Sequence, residues 1–118
     1  MVDQDGINKF LGYFKKCVTE KGLLLIQRQK NIETITKLGL TLLDIRKEIL
    51  KLDYTDYISG PKEDRDFPGE VWEFGKRIEC EDIYIKLKLK TGNKPVCISF
   101  HLFEREARYP FKKKGESK

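Results

Sequence analysis

The chain has 118 residues, 39% of them hydrophobic, and its 24 Lys and Arg against 19 Asp and Glu give a net charge of +5. That length and apolar content fit one globular domain, residues 1–118, with a core that needs no covalent staples, and the positive balance fits a polyanion partner without requiring one. Cys17, Cys80 and Cys97 form no CxxC or Cys/His spacing, so a disulfide framework, a structural zinc and a cofactor motif are all absent from the expectation.

In chain order, Ile7, Phe10, Leu11, Phe14 and Val18 recur at helical steps and predict a first helix of roughly Ile7 to Glu20, ended by Gly22. Leu23 to Gln27 is short and apolar, an expected edge strand. Ile32, Ile35 and Leu38 predict a second helix from Asn31, stopped at Gly39, a residue suited to a left-handed cap. Thr41 opens a third helix, with Asp44 three residues on as the reciprocal half of a capping box and Ile45, Ile49 and Leu52 on its buried side. Tyr54 to Gly69 carries Gly60-Pro61 and Pro68-Gly69 around a charged stretch and reads as a long surface loop. Glu70 to Phe74 alternates again, with Trp72 and Phe74 on one side, before Gly75-Lys76-Arg77. Tyr109-Pro110-Phe111 is a docking point, and residues 112–118 form a solvated basic tail. The order is helices first, then an antiparallel meander, which makes an α+β domain with N-terminal helices packed on one face of a C-terminal antiparallel sheet.

The strongest signal is a hairpin. Residues 83–90 and 96–101 alternate apolar and polar on either side of Gly92-Asn93, which suits a two-residue turn with glycine at the position of positive φ. With Thr91 opposite Lys94, Leu89 faces Val96, Leu87 faces Ile98 and Ile85 faces Phe100, all on one apolar side. The other side pairs Lys88 with Cys97, Lys86 with Ser99, and Tyr84 with His101, the single histidine of the chain. A phenol, ammonium groups, a hydroxyl and an imidazole within cross-strand reach can bind and cleave a phosphodiester. His101 is the candidate proton-transfer group, because an imidazole exchanges protons near neutrality. Lys86 is the candidate donor to the phosphate oxygens. Tyr84 is the candidate positioning or stacking group. Lys76, Arg77, Lys88 and Lys90 are the expected RNA-backbone contacts. Cys97, on the lysine side in this register, would be a nucleophile only if those cations lowered its pKa.

From about Phe10 to His101 the chain resembles the MqsR family of bacterial toxins, small mRNA interferases with a RelE-like fold. The resemblance is carried by Ile83-Tyr84-Ile85-Lys86, similar to the family's aromatic-then-lysine strand, by Ile98-Ser99-Phe100-His101, similar to its last strand, and by Gly69-Glu70-Val71-Trp72-Glu73-Phe74, placed where the family has an aromatic-containing strand. It implies a type II toxin-antitoxin toxin that cleaves mRNA without a metal or other cofactor and so inhibits translation and growth. It also implies an antitoxin protein as partner and leaves the ribosome as a candidate one. Two positions depart from the pattern: Asp56-Tyr57-Ile58-Ser59 lacks a lysine implicated in the family's RNA cleavage, and His101 stands where the better-known branch has lysine.

Other readings are open at this stage. Alternating lysines are also the ordinary wet face of a sheet. Ile35, Gly39 and Ile45 are spaced as in a helix-turn-helix, with Thr41 and Arg46 on the would-be recognition helix, although Asp44 and Glu48 would face phosphates there. A non-catalytic interaction protein using the same basic face is a third reading. No signal-peptide pattern is present and the longest apolar run, Leu23 to Ile26, is far short of a span, so a cytoplasmic protein with no membrane partner is expected.

Overall fold

Three helices precede five strands in a computed structural model of the chain, which describes residues 2–65 and 68–111. Helix α1 (Gln4–Lys21) begins a turn earlier than its apolar stripe, because the Asp3 carboxylate accepts the Gly6 N–H at 2.9 Å and satisfies an amide that no helical carbonyl can reach. Strand β1 (Leu24–Leu25) follows, then α2 (Gln29–Leu38), which stops at Gly39 in the left-handed conformation (φ 67°, ψ 33°). Helix α3 (Leu42–Leu50) carries the expected box: Thr41 Oγ1 accepts the Asp44 N–H at 3.1 Å and Asp44 accepts the Thr41 N–H at 2.8 Å. A single turn at Tyr54–Asp56 leads into β2 (Tyr57–Glu63), β3 (Glu70–Ile78), β4 (Glu81–Lys90) and β5 (Lys94–Leu102).

The sheet order is β1-β5-β4-β3-β2, antiparallel except for the parallel β1–β5 contact. The helices pack on one face, as an α+β arrangement requires. Phe10 of α1 stacks flat on Trp72 of β3, with ring centroids 4.3 Å apart, and Ile83, Ile85, Leu87 and Phe100 are fully buried on the same side. Phe111 closes this core edge-on to Tyr54 and Tyr57, at 6.1 and 6.0 Å. Among the described residues, no helix is long and apolar enough to cross a membrane. The basic tail, residues 112–118, lies outside the described residues.

Two expectations are corrected. The long loop begins as strand β2, which pairs with β3 through two register shifts. Gly60-Pro61 reads as a turn in isolation, but a proline is tolerated on an edge strand, and Gly60 is pressed against β3 so closely that a Cβ there would lie 2.8 Å from the Val71 carbonyl oxygen. Strand β3 likewise continues through Gly75-Lys76-Arg77, and its turn falls at Glu79 and Cys80, both at positive φ.

The hairpin differs by two compensating steps. Its turn has three residues, 91–93, with Lys90 opposite Lys94, which displaces the expected register by one; a bulge then adds Ile98 and restores it. Leu87 therefore faces Cys97 and Lys88 faces Val96, whereas Lys86–Ser99, Ile85–Phe100 and Tyr84–His101 pair as expected. A bulge flips the facing of the residues on one side of it only. Cys97 consequently turns into the core.

Asn31 of α2 holds that bulge. Its side chain is fully buried, its amide nitrogen donates to the Ile26 and Ile98 carbonyls at 2.9 Å each, and its oxygen accepts the Phe100 N–H at 2.9 Å. Three residues along the helix, Thr34 Oγ1 accepts the Leu102 N–H at 3.4 Å and donates to the Lys30 carbonyl. Strand β1 covers the β5 edge only as far as Cys97, and these two side chains take over where it ends. Replacing Asn31 with leucine strands three backbone groups, each worth about 1 kcal/mol or more when left unpaired. Urea unfolding of Asn31→Leu is expected to show a loss of roughly 3 kcal/mol, and Asn31→Asp a loss at least as large, because its second oxygen would face the Ile26 and Ile98 carbonyl oxygens with no hydrogen to donate.

Candidate functional site

The face of the sheet away from the helices gathers side chains from several segments of the chain. Strands β4 and β5 supply Tyr84, Lys86, Ser99 and His101 as neighbours. The Tyr84 and His101 rings lie 5.3 Å apart, tilted by 41°, and Phe103 meets Tyr84 edge-on at 5.6 Å. The His101 Nδ1 sits 2.9 Å from the Leu102 carbonyl oxygen. Since a carbonyl can only accept, Nδ1 is the protonated nitrogen and Nε2 is the one able to take a proton. The N-terminal end of α2 contributes Arg28, whose Nη1 donates to Ser99 Oγ at 3.0 Å.

Glu73 of β3 is the hub. Its carboxylate accepts from the hydroxyls of Ser59 and Tyr84 and pairs with Lys62 Nζ at 2.9 Å. Burial works against its charge, but the hydrogen bonds from Ser59, Tyr84 and Lys62 outweigh that and hold the carboxyl below the ordinary glutamate range. Burial, reinforced by the Glu73 charge it faces, pushes the Tyr84 phenol well above its usual value. Tyr84 is thus a neutral donor and not a base. A glycine at position 75 makes room above the sheet, since a Cβ there would fall 2.7 Å from the Phe103 ring and 2.5 Å from the Tyr109 hydroxyl.

These groups line a cleft of about 680 Å³, with seven Lys or Arg side chains in its walls against three Glu. Arg28, Lys62 and Lys86 belong to it, as do Arg65, Arg105 and Arg108 from the β2–β3 loop and the segment after β5. The four basic residues expected to track a nucleic-acid backbone lie elsewhere. Lys76 is opposite Ile83 and so points to the helix side, 3.4 Å from Glu48 of α3. Arg77 pairs with Asp82 at 3.3 Å, at the end of the β3–β4 hairpin. Lys88 is 3% exposed and holds Asp64 at 2.6 Å, anchoring the β2–β3 loop. Lys90 is exposed beside the β4–β5 turn. The cleft's cations come instead from segments whose approach is set by tertiary packing. Arg28, Lys62 and Glu73 carried no signal beyond their charge, except that Glu73 alternates with the aromatics Trp72 and Phe74 and so had to face away from them.

Cys97 is fully buried, its thiol directed at the Ser99 carbonyl at 3.2 Å and pushed up in pKa by burial. It is no nucleophile. The start of α3, the would-be recognition helix, exposes the apolar Leu42 and Leu43, 54% and 57% accessible, beside Thr41. Among the described residues, no group of three or more His, Cys, Asp or Glu side chains is placed to hold a metal ion.

A carboxyl whose pKa is lowered by folding contributes stability that is complete above its unfolded value and is lost as the pH falls through its folded one. Thermal unfolding is therefore expected to shift to lower temperature as the pH drops below about 4, and Glu73→Gln is expected to flatten that acid limb. An unchanged limb in a folded Glu73→Gln protein would mean that the carboxylate is not held as described. Beyond this geometry, no family model, curated protein or solved structure matches the chain.

Proposed function

We propose that the cleft binds single-stranded RNA and that the protein is a metal-independent endoribonuclease. The observation that carries this reading is the contact of His101, itself 7% exposed, with Tyr84 on the sheet face away from the helices, in a cleft also lined by Lys86 and Arg28 that has a surplus of positive charge. A phosphodiester chain is drawn to such a surface by its charge, with release of counterions. Aromatic rings next to the cations are the usual platform for unpaired bases.

The reaction follows from the groups present. The ribose 2′-oxygen attacks the adjacent phosphorus, His101 Nε2 takes the 2′-hydroxyl proton as that bond forms, and the proton returns to the 5′-oxygen as its bond to phosphorus breaks. A 2′,3′-cyclic phosphate and a 5′-hydroxyl result. Lys86 and Arg28 stabilise the charge that builds on the non-bridging oxygens. Tyr84, fixed by its hydroxyl on Glu73, offers its ring to a base. The resemblance to the MqsR toxins supports the same chemistry and adds mRNA as substrate, a type II toxin-antitoxin setting and an antitoxin partner. Ser59, where the resemblance leaves a lysine missing, and Lys62 of the same strand both reach the Glu73 carboxylate.

In chelator-containing buffer, His101→Ala is expected to lower RNA cleavage by roughly a hundredfold or more while the protein stays folded. Unchanged cleavage would sink the assignment of His101. RNA binding should weaken with salt, and Arg28→Ala and Lys86→Ala should each reduce the slope of log K against log salt by up to about 0.7. In cells, induction should arrest growth, and an antitoxin encoded beside the gene should relieve the arrest.

A further inference from the structure

A second cleft, of about 420 Å³, lies on the other side of His101 and shares a wall with the first. Lys30, His101, Phe103 and Glu104 line both. The two differ in character. The first is rich in cations, whereas the second balances its two lysines with two glutamates and has Leu102 and the Phe103 ring among its lining residues. A phosphate group gains nothing from a site without net charge. A flat apolar ring with polar edges matches it.

The shared wall is also where the reading above puts the scissile phosphate, at His101. A strand cut there must place a nucleotide on each side. Across the wall runs the ion pair of Lys30 from α2 with Glu104 from the segment after β5, both side chains more than half exposed. Exposed pairs of long side chains are held weakly, so this bar opens at little cost and frees an ammonium donor and a carboxylate acceptor for the edge of a base.

On the strength of the RNA-binding reading, we infer that the second cleft is a nucleobase subsite: the base next to the scissile phosphate stacks on Phe103 while Lys30 and Glu104 exchange their mutual contact for its polar edge. The RNA therefore crosses the His101 wall, with backbone in the basic cleft and one base in the neutral one. Glu104 and Phe103 are specificity residues in this arrangement, and a base lacking a donor for Glu104 is disfavoured at that position.

The test is a binding series with short single-stranded 2′-O-methyl RNA, which lacks the attacking hydroxyl, with one base at a time replaced by an abasic unit. One position is expected to lose about tenfold in affinity when its base is removed, as for a base held on an aromatic ring. Glu104→Ala and Phe103→Leu should each blunt that one loss and leave the other positions alone, whereas Arg28→Ala should weaken every oligonucleotide alike. A flat abasic profile, or a sensitive position that neither Glu104→Ala nor Phe103→Leu alters, overturns the subsite and leaves RNA binding in the basic cleft intact. Absence of salt-dependent binding to the whole series overturns both.

Discussion

One buried amide sets the geometry on which everything else rests. Asn31 binds the β5 edge with one amide hydrogen, on Ile98, and with its oxygen, and gives the other hydrogen to the Ile26 carbonyl just after β1, standing in for the backbone of a strand where two-residue β1 has already ended. A helix has no free backbone groups to offer a sheet edge along its length, so only a side chain with both a donor and an acceptor can do this. The consequence reaches the open face. The bulge at Ile98 is held in place, Ser99 and His101 beyond it lie on the sheet face away from the helices, and Arg28, three residues before Asn31, is delivered to Ser99. Helix α2, the bulge and the cleft are one mechanical unit.

Around that unit the charges are arranged unequally. Glu73 is a partly buried carboxylate amid cations, and it stays charged because two hydroxyls and an ammonium converge on it. Lys62 is occupied by it, and so is the Tyr84 hydroxyl. Arg28 gives its guanidinium to the Ser99 hydroxyl, and Lys86 lines the same cleft. In the RNA-binding reading proposed above, a phosphate is repelled by Glu73 and drawn to the other cations of the cleft. Lys76 and Lys88 show the opposite use of the same residue type: each is paired with an acid, one to α3 and one to the β2–β3 loop. They fasten elements together.

The sequence by itself determined the local structure. Caps are short-range hydrogen bonds between residues three apart, so Thr41 with Asp44 and the stop at Gly39 are written in neighbouring positions. Alternation of period two likewise placed Tyr84 and His101 side by side and Trp72 and Phe74 in the core, since a pleated strand leaves no other choice. Even there the agreement at Tyr84–His101 arose from two opposite one-residue steps, a longer turn and a bulge. Cys97, lying between them, went to the wrong face in the sequence reading.

Tertiary structure alone decided which distant charges meet. Nothing near Arg28 in the chain points to Ser99, seventy-one residues away, and nothing in Gly60-Pro61 shows that β3 will pair with it. Whether a lysine faces water, as Lys90 does, or is buried against an aspartate, as Lys88 is, depends on the arrival of a segment from elsewhere. Backbone hydrogen bonding and side-chain alternation act over a few residues and can be read from order in the chain. The electrostatic environment of a cleft is a sum over neighbours in space, and it exists only once the chain has folded.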